Sequence, residues 1–328
     1  MNKILKNKNI LITGGAGFIG GHLIERLIDY NHILVIDNFN EYYSGKEEQF
    51  DLITRNYKEK EDFELIKADL VNKSIFDRIE LDIDIIFHLA AQAGVRYSIQ
   101  NAAEVAKNNI VSTVNIFEFG LNSEVEKILF ASSSSVYGNP IYTPLDEDHP
   151  KNPISPYAIS KLSGEIYADY YYRERNLPVT STRFYTVYGP RGRPDMAIRK
   201  FFKLILQGKK ITIYGDGSQL RDFTYISDIV DGLILAAGSQ KSNGEIFNLG
   251  CSNPISVNKL VELMYNIADK PKNIVYIEKQ EGDVEVTYSD TTKALEMLDY
   301  NPKINIEKGL KKTFDWQEAY FFNNSNPH

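Results

Sequence analysis

The first chemical signal is a tyrosine and a lysine four positions apart. In Ser155-Pro156-Tyr157-Ala158-Ile159-Ser160-Lys161 the pattern predicts the start of a helix. Residues at i and i+4 share a helix face, so phenol and ammonium can point into one site. A nearby cation favours phenolate and lowers the tyrosine pKa from its ordinary value of about 10. The result is a base able to take a proton from an alcohol. The same two residue types are common on solvated helix faces, so the spacing needs support from elsewhere in the chain.

A glycine loop supplies that support. Gly14-Gly15-Ala16-Gly17-Phe18-Ile19-Gly20 follows the short apolar run Asn9-Ile10-Leu11-Ile12. Gly14 permits a tight turn, Gly17 lets a pyrophosphate approach the backbone, and Gly20 lets helix and strand pack closely. The helix N-terminus then faces the phosphates, with Phe18 and Ile19 in its first turn. Asp37 closes the next predicted strand beside Asn38. A carboxylate there accepts the adenosine ribose hydroxyls and repels a 2′-phosphate, which favours NAD over NADP. Asp69-Leu70, after a third strand, suits an adenine contact or a plain helix cap. Leu89-Ala90-Ala91 are small enough to let a dinucleotide cross the sheet edge, whereas His88 reads as structural.

These loops need a frame. Apolar runs at 9–12, 33–36, 63–67, 83–89 and 127–131 alternate with helical stretches, the first expected over 22–30. Strands of this kind form a parallel sheet covered on both faces, and ligands bind beyond the strand carboxyl ends. The fold class is therefore α/β. The chain has 328 residues, 43% hydrophobic, enough for one large domain or two coupled ones. A net charge of −7 and no long Lys/Arg run argue against nucleic acid. No apolar run approaches the ~18 residues that span a bilayer, and no leader-like segment opens the chain. One cysteine, Cys251, excludes an internal disulfide and suits a cytoplasmic setting. Cys251 reads as a small buried residue, not a nucleophile. No metal-ligand pattern is evident.

The fifth strand ends in Ala131-Ser132-Ser133-Ser134-Ser135-Val136-Tyr137-Gly138. A serine hydroxyl here could bond both a substrate alcohol and the tyrosine oxygen. With TGGAGFIG, HLAAQ, SSSSVYG, SPYAISK and YGDGSQLRDFTYISD together, the chain resembles the extended short-chain dehydrogenase/reductases that act on nucleotide sugars as epimerases, dehydratases and decarboxylases. The resemblance covers nearly the whole length. It implies a Rossmann-type doubly wound sheet with a smaller, mostly C-terminal α/β substrate region, and tightly bound NAD. It also implies Tyr157 as base, Lys161 as the residue that lowers its pKa and holds the nicotinamide ribose, and Ser133 as the catalytic serine.

Members of the family share one opening step, oxidation at the sugar C4, and differ in the step after it. By the resemblance, dehydratases carry an Asp-Glu pair after the catalytic Thr, and decarboxylases carry a Glu two positions before the tyrosine of the Val-Tyr-Gly motif. Ser134 and Ser135 stand in those places. The pattern therefore favours return of the hydride to the other face, which is 4-epimerisation. AGVRYS at 93–98 and RFYTVYGPRGRPDMA at 183–197 look most like UDP-glucuronate 4-epimerases, with Thr186 where UDP-glucose epimerases usually carry Asn. Arg193 is the first candidate for the sugar carboxylate, because a guanidinium can grip it bidentately. Thr186 and Ser134 assist, and Arg96 and Arg191 are further candidates. Arg221 is expected at the diphosphate and Asp283 at the uridine ribose. Phe201 or Phe202 is placed near the uracil or in the core, and Asp228 is expected to be a structural helix cap.

The expected division is a cofactor region, 1–183, with a return segment near 224–250. The UDP-sugar region is 184–223 and 251–320, and 321–328 is expected to fray. The resemblance also implies a homodimer built on helices 103–121 and 155–175. Ile166, Tyr167, Tyr170 and Tyr171 fit such a face, as they also fit an internal core.

Overall fold

The computed structural model describes residues 5–57, 62–278 and 284–325. Strands β1 (Asn9–Thr13), β2 (His32–Asp37), β3 (Phe63–Lys67), β4 (Ile85–His88), β5 (Lys127–Ser133) and β6 (Val179–Phe184) are followed by β7 (Thr186–Tyr188), β8 (Ile211–Tyr214), β9 (Leu220–Arg221) and β10 (Phe223–Tyr225). Then come β11 (Ile246–Leu249), β12 (Ile255–Ser256) and β13 (Ile274–Ile277). Seven of them form one sheet in the order β11-β6-β5-β4-β1-β2-β3, and all its neighbours run parallel. This is the doubly wound α/β architecture. Alternate residues explain why its strands are continuously apolar. Ile10, Ile12, Ile33 and Val35 join the core on one face, and Leu11, Leu34 and Ile36 join the core on the other. Both faces are covered by helices, so a polar residue at either set of positions would be buried without a partner.

The chain leaves β1 toward β2 and later places β4 on the other side of β1. That reversal opens a crevice at the carboxyl ends of the two strands. Helix α1 (Phe18–Leu27) begins directly after Gly17, four residues earlier than the apolar spacing predicts. The glycines impose no side-chain constraint, so the helix starts at the loop itself. Helix α2 (Lys46–Thr54) follows β2, and α3 (Val95–Gln100), α4 (Ala102–Ala106) and α5 (Ser112–Asn122) follow β4. The long helix expected over 103–121 is interrupted by a π turn at Lys107–Val111. The strand expected over 127–131 extends to Ser133, so the serine run begins inside the sheet.

Helix α6 (Pro156–Arg175) starts where local chemistry dictates. The Ser155 hydroxyl accepts from the Ala158 amide at 3.2 Å and proline occupies the first turn, a strong start signal. It ends at Asn176 in the left-handed region, φ 56. A Cβ on Gly164 would stand 2.2 Å from the Phe130 ring, so glycine is what lets α6 lie close to β5. The later helices are α7 (Ala197–Leu206), α8 (Ile226–Ala237), α9 (Val257–Ala268), α10 (Thr292–Leu298) and α11 (Ile306–Ser325). Helix α11 includes residues 321–325, which were expected to fray; residues 326–328 lie outside the described residues. The small pairs β7–β10, β8–β13 and β9–β12 lie outside the main sheet. No helix among the described residues is long and apolar enough to cross a membrane.

Candidate active site

A cleft of about 420 Å³ opens at the carboxyl edge of the sheet. Every residue expected to hold the dinucleotide lines it: Gly14, Gly17, Phe18, Ile19 and Gly20 after β1, Asp37 and Asn38 after β2, Asp69 and Leu70 after β3, and Leu89, Ala90 and Ala91 after β4. Tyr157 and Lys161 of α6 close the far wall, with Ser133, Ser134, Thr186 and Arg193. Arg96 and Arg221 are not on this wall. Arg96 is exposed, its guanidinium 4.9 Å from the Tyr214 ring centroid. Arg221 Nη1 donates to the carbonyls of Leu220 at 2.8 Å and Glu285 at 3.2 Å. Asp283 lies outside the described residues.

The glycine loop has the form that a pyrophosphate needs. Gly14 sits at φ +73, and a Cβ there would be 2.7 Å from the Ala90 amide nitrogen. A Cβ on Gly20 would be 2.4 Å from the Gly14 carbonyl oxygen. Loop, helix and β4 are therefore in backbone contact. Helix α1 has no side-chain cap and no acidic residue in its first turn. Its leading N–H groups and the positive end of its dipole are left for an anion. Asp37 spans the loop from the side, accepting from the Ala16 amide at 3.0 Å and the Phe39 amide at 2.8 Å. Burial raises its carboxyl pKa, and those two bonds and Lys46 oppose the rise. The loop and Asp37 fit a dinucleotide with free ribose hydroxyls.

His88 is the structural residue it was expected to be. The Thr113 hydroxyl donates to the Asn109 carbonyl at 2.6 Å, so it accepts from His88 Nε2, 3.0 Å away. His88 Nδ1 then accepts the Thr13 hydroxyl at 2.8 Å. Burial and the Lys161 charge pull the imidazole down to about 3, which keeps it neutral. The π turn has a similar purpose. It aims Asn109 so that its amide accepts from Gln92 N at 2.7 Å and donates to Ser160 Oγ at 2.9 Å. The loop after β4 is thereby tied to the turn of α6 between Tyr157 and Lys161.

The Tyr157 and Lys161 environments differ from the simple pair. Lys161 is 3% exposed and donates to the Ala131 carbonyl at 2.7 Å. Burial pulls its ammonium from 10.5 to about 8. Burial raises the Tyr157 phenol, and what opposes the rise is first the charge of Arg193 and then a hydrogen bond with Ser133. Lys161 Nζ lies 6.0 Å from the Tyr157 ring centroid. The cation that bears on the phenol here is thus Arg193. Tyr157 also stands in the first turn of α6, where the helix dipole favours an anion. Ser133 Oγ accepts from the Ser135 amide at 3.2 Å and its hydroxyl at 2.9 Å, which turns the Ser133 side chain at the strand end.

Arg193 is in the cleft but not free on all sides. Its Nε and Nη2 donate to the two Asp195 oxygens at 3.0 and 2.6 Å. A grip on a sugar carboxylate is confined to its terminal Nη1–Nη2 edge. Arg191 pairs instead with Glu25 and donates to His22 Nδ1 at 3.1 Å, pinning its loop to α1. Tyr42, Tyr43 and Lys46 line the cleft as well. They come from the stretch after β2, whose polar and aromatic composition was the only sequence clue to them.

Several other residues find structural places. Phe201 and Phe202 are both in the core. Asp228 has a structural place, accepting from the Lys303 and Ile304 amides ahead of α11 at 3.1 Å each. Cys251 is partly exposed, not buried; burial and Asp222 push its thiol up, which leaves it a poor nucleophile. Behind the site, the fully buried Arg183 donates to Glu165 at 2.9 and 2.8 Å and to the Tyr137 hydroxyl at 2.8 Å. Glu165 also accepts from Ser132. Glu165 thereby joins α6 to β6 through Arg183 and to β5, the strand that carries Ser133, through Ser132. No cluster of three or more potential metal ligands occurs among the described residues.

A doubly wound sheet, a dinucleotide loop and a Tyr/Lys/Ser wall define a dehydrogenase-like enzyme that acts on a ligand beside NAD. The family model described as GDP-mannose 4,6 dehydratase matches residues 11–313, and the chain belongs to that epimerase/dehydratase family. A UDP-glucuronate 4-epimerase of Thermodesulfobacterium geofontis is 38% identical over 94% of this chain and 95% of its own length. The UDP-glucuronic acid 4-epimerase of Bacillus cereus, solved with UDP-glucuronic acid and NAD, superposes with a TM-score of 0.89 at 33% identity. The match covers 95% of this chain and 99% of that one. A UDP-N-acetylglucosamine 4-epimerase from Methanobrevibacter ruminantium matches equally well, with TM-score 0.89, 33% identity and coverage of 96% and 100%. The Bacillus cereus enzyme and a dTDP-glucose 4,6-dehydratase from Streptomyces venezuelae were both solved with NAD bound, and the relatives include several 4-epimerases of nucleotide sugars.

Proposed function

We propose that this protein interconverts UDP-glucuronate and UDP-galacturonate. The observation that carries this reading is Arg193, a guanidinium on the wall of the same cleft as Tyr157. Tyr157 takes the proton of the C4 hydroxyl, with Ser133 bonded to both oxygens. Arg193 and the α6 N-terminus favour the phenolate. NAD, held by the glycine loop, Asp37 and Lys161, supplies the acceptor and then the donor of the C4 hydrogen. Ser134 and Ser135 place no carboxylate at C5, so elimination has no base. The 4-keto sugar turns about its diphosphate link and takes the hydrogen back on its other face.

The 4-keto acid loses CO2 readily when its C5–carboxyl bond stands perpendicular to the ketone plane. Arg193, Thr186 and Ser134 are assigned to hold the carboxylate out of that orientation. Arg221 would meet the diphosphate and Asp283 the uridine ribose, with Arg96 a further candidate for the carboxylate. The division into a cofactor region (1–183 with 224–250) and a sugar region (184–223 and 251–320) belongs to the same proposal. So does a homodimer through α6, whose outer face exposes Ile166 at 63%, Tyr167 at 40% and Tyr170 at 45%. Tyr171, 4% exposed, is core and drops out of that face.

A second reading, a 4-epimerase of a neutral UDP-hexose or its N-acetyl form, is favoured by Asp195, which already offsets the Arg193 charge. Incubation with UDP-glucuronate, UDP-glucose and UDP-N-acetylglucosamine separately, with products read by NMR, separates the two. Turnover of UDP-glucose without UDP-glucuronate rejects the first.

A further inference from the structure

Arg193, on the cleft wall, is held by an exposed acid that the reaction above does not use. Asp195 occupies the side edge of Arg193, and its Oδ2 also accepts the Tyr42 hydroxyl at 3.2 Å. The Tyr42 ring lies against the guanidinium, 5.6 Å from its carbon. Tyr42 is held in turn. Its ring meets Tyr97 edge-on at 5.3 Å, and a Cβ on Gly94 would stand 2.4 Å from its hydroxyl. Only glycine at position 94 leaves room for it there. Arg193 is therefore fixed on one edge by its near neighbour in the chain, Asp195, and on one face by Tyr42 from a distant segment.

A guanidinium has two edges that can meet a carboxylate side by side. With Nε and Nη2 committed to Asp195, only the terminal Nη1–Nη2 edge can face a sugar. Burial acts against charge on both partners, yet mutual bonding holds the Asp195 carboxyl below its ordinary value and the Arg193 guanidinium above its own. An isolated long side chain would sample many rotamers; this one is already ordered, so binding would not incur that entropy cost again.

We infer that Asp195, braced by Tyr42, is a positioning residue that aims the terminal edge of Arg193 at the C6 group and so sets the preference for acidic over neutral sugars. The inference rests on the UDP-glucuronate reading. Its test is calorimetric binding and turnover of UDP-glucuronate and UDP-glucose by wild type, Asp195→Asn, Asp195→Ala and Tyr42→Phe, each loaded with NAD. Losing one charge-assisted contact that orients the guanidinium should lower the acid-to-neutral affinity ratio about tenfold in Asp195→Ala. Asp195→Asn and Tyr42→Phe should lower it less, and kcat should change less than KM. Tighter UDP-glucuronate binding by Asp195→Ala would overturn the inference, because Asp195 would then be a competitor for Arg193. An equal loss for both sugars would also overturn it, as the role would be structural only. Wild-type protein that binds UDP-glucuronate but does not turn it over rejects the proposed reaction and leaves the binding ratios to decide the role of Asp195.

Discussion

Replacing Lys161 with methionine should make the fold more stable at neutral pH and abolish turnover. Lys161 is 3% exposed, and burial pulls its ammonium from 10.5 to about 8. The unfolded chain keeps this proton up to about pH 10.5, the folded chain only to about 8. Between those values the unfolded state binds more protons, so stability rises with pH through that window. The shift, 10.5 − 8 or about 2.5 units at ~1.4 kcal/mol each, is about 3 kcal/mol of destabilisation. It is fully present below pH about 8 and gone above about 10.5. Methionine fills the space of the stem without the charge. Loss of the bond to the Ala131 carbonyl offsets about 1–2 kcal/mol of the gain. The assay is urea unfolding of both proteins, freed of dinucleotide, across pH. Between pH about 7.5 and 9.5 the stability advantage of the variant should shrink by about 2 kcal/mol. Parallel stability curves over that range would refute the reasoning, since they would mean that burial of Lys161 exacts no charge penalty.

Three further outcomes are expected. Tyr157→Phe should lower kcat by about 10²–10⁴ with bound NAD and KM little changed; a variant keeping more than a tenth of wild-type turnover would remove Tyr157 from the role of base. Gly14→Ala places a Cβ 2.7 Å from the Ala90 nitrogen at φ +73, so NAD content, read by absorbance after purification, should fall to near zero. Full NAD occupancy in that variant would mean that the loop does not hold the pyrophosphate. Glu165→Ala leaves the Arg183 guanidinium buried without its carboxylate and should cost about 3–5 kcal/mol in urea unfolding. The double variant Glu165→Leu, Arg183→Met should recover most of that loss; if it is no more stable than the single variant, charge burial is not the cause.

Much of the cofactor end was legible in the residues. A glycine spacing, a carboxylate at the end of β2 and small residues after β4 each act within a few residues of a strand end. The parallel sheet brings strand ends together without further instruction. The sugar end was less legible. Arg193 was found by type, but the Tyr42 ring on its face was not, because Tyr42 comes from a distant segment. Asp195, two residues on, takes its side edge and was overlooked although it is local. Arg96 and Arg221 were anion-ligand candidates through family resemblance; local sequence does not say where a long side chain goes, and the fold sets the first against Tyr214 and bonds the second to main-chain carbonyls. The π turn has no signature in the apolar spacing, which continues through it.

By itself the sequence determined the alternation of strand and helix, the dinucleotide loop and the helix that carries Tyr157 and Lys161. Those features come from periodicity, from glycine stereochemistry and from a capping serine before proline, all of which act locally. Tertiary structure decided that Arg193 shares a cleft with Tyr157 and that Tyr42 covers its face. Charge and hydrogen-bond direction depend on distances between residues far apart in the chain, and only the packed fold sets those distances.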